Sequence, residues 1–322
     1  MAQATGTTDS YDLVGLAEDV EDVIFNISPT ETPFLSKAKR KKATATSHQW
    51  QTDSLAAAAA NRAIEGDEST YAAASPTVML SNYTQISKKT VLISGTADAV
   101  RKYGRKEEFA YQIAKKGKEL KRDIEYALVT NQASSAGGSS TARSSAGIES
   151  MIAGNRILGT GNSTGTTPGY AGGAWAAPTD GTAATMTETD LVTALEAAWA
   201  DGGDPNTVMV NSGLKRRIAT FGGANKFSGV QVNQGRTAQA VVIGGVDLYI
   251  SDFGEHKIML NRYMRTGTVL CLDFDYLSVA WLRPIKFEER AKTGDATRGE
   301  LLCEYTLVAD NPDAHAKVQS VS

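Results

Sequence analysis

The first 97 residues hold almost nothing that can close a core of its own, and this limits the chain more than any other feature. Leu13, Leu16, Val20, Val23, Ile24 and Ile27 recur at three- and four-residue steps, the spacing of one apolar helical stripe. Asp9, Asp12, Glu18, Asp19, Glu21, Asp22 and Glu31 all precede the first cation, Lys37. Ser28-Pro29-Thr30-Glu31-Thr32-Pro33-Phe34 ends the helical pattern. Proline removes a helix hydrogen bond and pushes the residue before it into extended geometry. The basic run Lys37, Lys39, Arg40, Lys41, Lys42 follows directly. A short amphipathic helix ahead of an extended strap has to lie on something else, so residues 1–43 are expected to be an arm.

Residues 44–97 read as a long hairpin. Thr46 to Thr52, with Trp50 inside it, is one expected strand, and Thr77 to Ser94 is a longer return strand. Between them lie the alanines 56–60 and the acidic tip Glu65-Gly66-Asp67-Glu68. The hairpin is polar on both faces. A lone hairpin is marginal in water, and its edges invite pairing. It either packs on its own domain or reaches onto another chain, and the second placement is expected. The basic run has three readings: a solvated stretch, a strap docked on an acidic patch of a neighbour, or a nucleic-acid contact. Docking is expected, with the acidic helix serving the reciprocal role. The expected contact residues between chains are Val20, Ile24, Phe34, Lys37, Lys39, Arg40, Lys41, Lys42, Trp50, Glu65, Asp67 and Glu68.

Residues 105–131 carry the strongest helix signal. Phe109, Ile113, Gly117, Leu120, Ile124 and Leu128 form one narrow stripe in a densely charged segment. At about 1.5 Å per residue the helix runs roughly 40 Å, a spine rather than part of a small globule. Residues 132–181, rich in Gly, Ser, Thr and Ala, read as a long surface excursion with a short apolar piece at Ile148 to Ala153. Thr187-Glu188-Thr189-Asp190 then offers a helix start. Leu191, Val192, Leu195 and Trp199 continue it to Gly202-Gly203. A strand at 207–210, a helix at 212–221 and strands at 241–243, 247–251, 257–260 and 268–272 are expected next. The last part is expected to be β, at 277–281, 286–290, 299–309 and 315–318. The class is α+β.

Little in the chain points to chemistry. The 322 residues allow about two domains, and 41% hydrophobic content permits a core. A net charge of −3 argues against a dedicated nucleic-acid binder, which needs a basic excess. Cys271 and Cys303 are far apart and read as free thiols. His48, His256 and His315 lack metal-ligand spacing and read as surface or interface residues. Gly161-Asn162-Ser163-Thr164-Gly165 has the form of a hydrolase elbow. It lies in low-complexity sequence without the strand-to-helix turn that chemistry needs. No phosphate loop, membrane span or leader pattern is found. No enzyme, cofactor or metal is expected.

The order of parts is the informative feature: amphipathic arm, long polar hairpin, spine helix, α+β domain, terminal β segment. With Ile27 to Phe34, Gly66-Asp67-Glu68, Thr293-Gly294-Asp295-Ala296, Glu304-Tyr305-Thr306-Leu307 and Asn311-Pro312-Asp313-Ala314-His315-Ala316, it resembles the Hong Kong 97-like major capsid proteins of tailed phages. The resemblance covers essentially the whole chain. It implies an N-arm (1–43), an E-loop (44–97), a P-domain spine helix (98–146), an A-domain (147–280) and a P-domain terminal β segment (281–322). It implies a structural subunit of an icosahedral or prolate head, built of pentamers and hexamers around double-stranded DNA that it contacts non-specifically. Its partners would be itself, a portal, a separate scaffold and possible decoration proteins, with no membrane. Assembly would occur in the bacterial host cytoplasm, and the product would reside in the virion. Hinges are expected near Gly95 and Gly104. Bacterial encapsulins share the fold, so a compartment with protein cargo is the alternative. A hydrolase using Ser163 is the third reading.

Overall fold

The computed structural model describes residues 29–66, 68, 71, 73–74, 76–161, 164–221 and 247–322. The stripe holding Val20 and Ile24, the acid Asp67, Ser163 and the expected strand at 241–243 lie outside the described residues.

In chain order the strap gives α1 (Pro33–Lys37) and β1 (Lys39–Lys42). The hairpin region gives β2 (Ser47–Thr52), β3 (Val78–Tyr83), β4 (Gln85–Ser94) and α2 (Gly95–Ala99). The spine is α3 (Glu108–Val129), followed by α4 (Ile148–Met151), β5 (Arg156–Leu158), β6 (Tyr170–Ala171) and β7 (Ala174–Trp175). Then come α5 (Glu188–Ala200), β8 (Thr207–Val210), α6 (Ser212–Ile218), β9 (Leu248–Ser251), β10 (Gly254–Leu260) and β11 (Thr268–Leu272). The chain closes with β12 (Leu277–Arg290), β13 (Ala296–Ala309) and β14 (Ala316–Gln319). The mixture is α+β.

Two sheets organise these elements. A four-stranded sheet runs β1-β12-β13-β4, and a six-stranded sheet runs β5-β14-β11-β8-β10-β9. The spine packs on β4 and β13. Its buried stripe is Leu120, Ile124, Ala127, Leu128 and Val129, so the C-terminal half of the expected stripe is the part that enters the core. Phe109, at the other end, meets Phe287 of β12 edge to face, with centroids 5.9 Å apart. One core joins the spine to the four-stranded sheet and to Phe34, Met151 and Trp175. A second lies between α5, α6 and the six-stranded sheet, around Leu191, Leu195, Val208, Val210 and Val269.

The α5 start forms as its sequence dictates. Thr187 caps the N–H of Asp190, and the Asp190 carboxylate accepts the N–H of Thr187, a full capping box. β11 has the expected bounds, and all five of its residues are buried.

Three expectations about elements need correction. The return strand is not continuous, because it breaks at Thr84: β3 pairs with β2, whereas β4 pairs with β13. The segments 277–281 and 286–290 are one strand with register shifts on either side of Arg283, where Pro284 has no N–H to give. The excursion 132–181 is not all surface, since Ile148, Met151 and Ile152 are fully buried and Trp175 nearly so. Strand pairing also ignores the expected boundary at 280/281. β12 crosses it, and a short turn at Pro312–Ala314 carries the chain from β13 into β14 of the other sheet.

Two histidines also differ from expectation. His256 is buried between Ser251 Oγ and the Pro205 carbonyl, each 2.7 Å from a ring nitrogen. His315 is fully buried beside the N–H of Asp273, and burial lowers its pKa from 6.5 to about 3. Both rings complete local backbone geometry instead of facing solvent.

Candidate functional site

The strap and hairpin are where assembly was expected to reside, and the structure divides them. The strap belongs to its own subunit. Phe34 is fully buried and packs against the Phe274 ring, with centroids 5.6 Å apart and the rings tilted at 60°. The N–H groups of Phe34 and Leu35 donate to the two carboxylate oxygens of Glu125, at 2.8 Å each. Glu125 lies fully buried on the spine and also accepts from Asn261 Nδ2 at 2.6 Å. Burial raises its pKa, and these three donors oppose the rise. Phe34 is therefore a core anchor within its own chain.

The basic run is also placed on its own chain. Residues Lys39–Lys42 form an edge strand, parallel to β12 with Lys39 opposite Ser278 and Lys42 opposite Trp281. Alternation along a strand sends its side chains to two faces. Lys39 pairs with Asp275 at 2.7 Å and Lys41 with Asp310 at 2.5 Å, both within the chain. Lys37 donates to Thr207 Oγ1 at 3.1 Å and lies over the Phe274 ring. Arg40 and Lys42 are exposed and make no ion pair among the described residues. Charged side chains on an edge strand discourage further pairing, and this explains the density of cations as well as docking would.

The hairpin is mixed. Its root is built into the subunit. Ser81 and Asn82 are buried, and Trp175 Nε1 donates to the Ser81 carbonyl at 2.9 Å. Asn82 donates to the Leu307 carbonyl at 2.8 Å and accepts the N–H of Ala146 at 2.9 Å. Trp50 is half-buried against the spine core and against a small cluster of Ala43, Ala280 and Val308 of its own chain. Beyond Thr52 and before Val78, every described residue is exposed, including Glu65 and Glu68. Leu55 is 99%, Ile64 81% and Tyr71 97% exposed. Three large apolar side chains thus stand almost wholly in water on one excursion.

Glu304 was missed by residue-level reading. It is 3% exposed, and its carboxylate accepts from Thr84 Oγ1 at 2.7 Å, Arg143 Nη2 at 2.6 Å and Arg283 Nε at 2.9 Å. Lys317 was missed as well. It is fully buried, donates to the Glu149 carbonyl at 2.5 Å, and is lowered to about 7 by burial.

Among the described residues no group of His, Cys, Asp and Glu side chains is placed to hold a metal ion. The function lies in surfaces. Residues 3–322 match the profile of the SU10 major capsid protein family. A major capsid protein of Escherichia phage Phieco32 is 42% identical over 125 residues. That stretch is 38% of this chain and spans only 36% of the relative's own length. Among solved structures, the capsid asymmetric unit of cyanophage A-1(L) superposes with a TM-score of 0.66 at 14% identity, covering 99% of each chain. The capsid of a native GTA particle gives 0.63 at 12% identity, covering 100% of this chain and 99% of the other. These two likenesses show the fold. The family match, spanning nearly every residue, places a structural role on a chain that leaves an apolar excursion exposed. The chain belongs to the SU10 major capsid protein family, with a Hong Kong 97-like capsid fold, and is a structural subunit of a phage capsid shell.

Proposed function

We propose that this subunit closes a head of pentamers and hexamers around double-stranded DNA by laying residues 53–77 across a second copy of itself. One observation carries this reading: Leu55, Ile64 and Tyr71 are left in solvent by a subunit that buries Leu80, Ser81 and Asn82 of its hairpin root. Fully burying each such side chain contributes roughly 1.5–3 kcal/mol. Glu65, Glu68, Arg40 and Lys42 belong to the proposed contact, being exposed and without an ion pair among the described residues. Val20, Ile24 and Asp67 join it on sequence alone. Phe34, Lys37, Lys39, Lys41 and Trp50 leave it, because their own chain holds them.

The division into arm (1–43), hairpin (44–97), spine unit (98–146), 147–280 and 281–322 stands as a proposal with two amendments. β12 unites its whole length with the spine sheet, and β14 joins the six-stranded sheet. A portal, a separate scaffold and decoration proteins are the proposed partners, and the host cytoplasm is the proposed place of assembly. The net charge of −3 suits a wall that encloses DNA without trapping it.

Replacing residues 53–77 by a short turn tests the reading. The expected product is a folded, soluble subunit that forms no closed shells in electron micrographs. Closed shells of normal size would overturn it.

A further inference from the structure

Three irregularities meet at Glu304. The hairpin's return strand breaks at Thr84. β12 loses register on both sides of Arg283. Arg143 comes from the irregular stretch between α3 and α4. Glu304 sits opposite Ile86 of β4 on one side and Arg283 of β12 on the other. Its Oε1 accepts from Thr84 and Arg143, and its Oε2 accepts from Arg283 Nε at 2.9 Å and forms an ion pair with Nη2 at 2.9 Å. The Thr84 N–H in turn donates to the Thr46 carbonyl at 2.8 Å, which closes the hairpin's base.

We propose that Glu304 is a positioning residue that sets the angle at which the hairpin leaves the subunit. The proposal rests on the reading of residues 53–77 as the contact between copies. Thr84 is the point where the chain passes from the hairpin pair β2–β3 to the spine sheet. Its hydroxyl is the side-chain link between that point and Glu304. Charge-assisted hydrogen bonds are strong and directional, so they fix an angle better than apolar packing does. The neighbouring groups are polar as well. Gln85 Oε1 accepts from Gln132 Nε2 at 2.5 Å, and Ser145 Oγ accepts from Asn82 Nδ2 at 3.1 Å. A root held by such a network can re-aim by exchanging partners without opening a core. The six residues of β2 span about 20 Å, so a tilt of roughly 10° moves the far end by about 3.5 Å. That displacement is enough to decide whether the excursion meets its seat on the next copy.

Hydrogen exchange on the full chain, with electron microscopy of the particles it forms, tests this. Thr84→Val removes only the hydroxyl and leaves both guanidiniums on Glu304. It should speed amide exchange in β2 and β3 roughly tenfold, leave β8 and β11 unchanged, and broaden the particle diameters. Thr84→Ser keeps the hydroxyl and should restore wild-type exchange and uniform particles. Should Thr84→Val fail to fold, Glu304→Gln replaces it, since the amide keeps the shape and one acceptor oxygen. Unchanged exchange, a serine variant that behaves like valine, faster exchange spread through β8 and β11, or uniform particles from a loosened root would each overturn the proposal. The wider reading fails separately, if subunits lacking residues 53–77 still close normal shells.

Discussion

Several side chains that usually face water do their work inside this subunit. Glu125 ties the strap to the spine, Glu304 ties three chain segments together, and Lys317 is fully enclosed beside the Glu149 carbonyl. His315 gives the clearest consequence. Burial holds its pKa near 3, well below the ordinary 6.5, so it stays neutral in the folded chain. The unfolded chain binds a proton there between these two values, and the folded chain does not. His315 therefore favours folding fully above pH 6.5, and that contribution is lost as pH falls toward 3, by at most about 1.4 kcal/mol per pH unit. Denaturant midpoints measured from pH 7 to pH 4 should fall more steeply for the wild type than for His315→Asn, which keeps an acceptor but does not titrate. Equal slopes would show that His315 does not titrate in this way. None of these roles was legible in the sequence. Glu304 lies 161 residues from Arg143 and 220 from Thr84, and no local spacing encodes such a meeting.

Local signals fared better at the scale of elements. The Thr187–Asp190 box, the apolar run of β11 and the stripe of the spine each follow from neighbours within a few residues. Signals that depend on partners misled. A run of cations read as a strap without strand pairing of its own, and it forms an edge strand beside β12. The excursion after the spine looked like plain surface, yet Trp175 closes over the hairpin root. The spine carries a further prediction. Gly117 lies in the middle of α3, where glycine costs about 1 kcal/mol relative to alanine. A Cβ built there meets nothing within 4 Å. Gly117→Ala should therefore raise the stability of the unassembled subunit by about 0.5–1 kcal/mol, read from its denaturant midpoint. A lower midpoint would mean that the helix does not tolerate the extra methyl.

Taken whole, the subunit is a well-buried body that holds one segment away from itself. Strap, spine and both sheets share two cores, and the hairpin root is locked by polar groups. Among the described residues, Leu55, Ile64 and Tyr71 of this segment are the most exposed large apolar side chains. The chain could be recognised as a shell subunit from the order of its parts, but which of those parts reaches outward depended on burial. A cryo-electron microscopy map of the assembled particle tests this most directly. The account predicts that Leu55, Ile64 and Tyr71 are covered by a second copy, while Phe34 and Lys39–Lys42 keep their places on their own subunit. A map in which residues 53–77 fold back on their own chain, with the strap crossing to a neighbour, would contradict it.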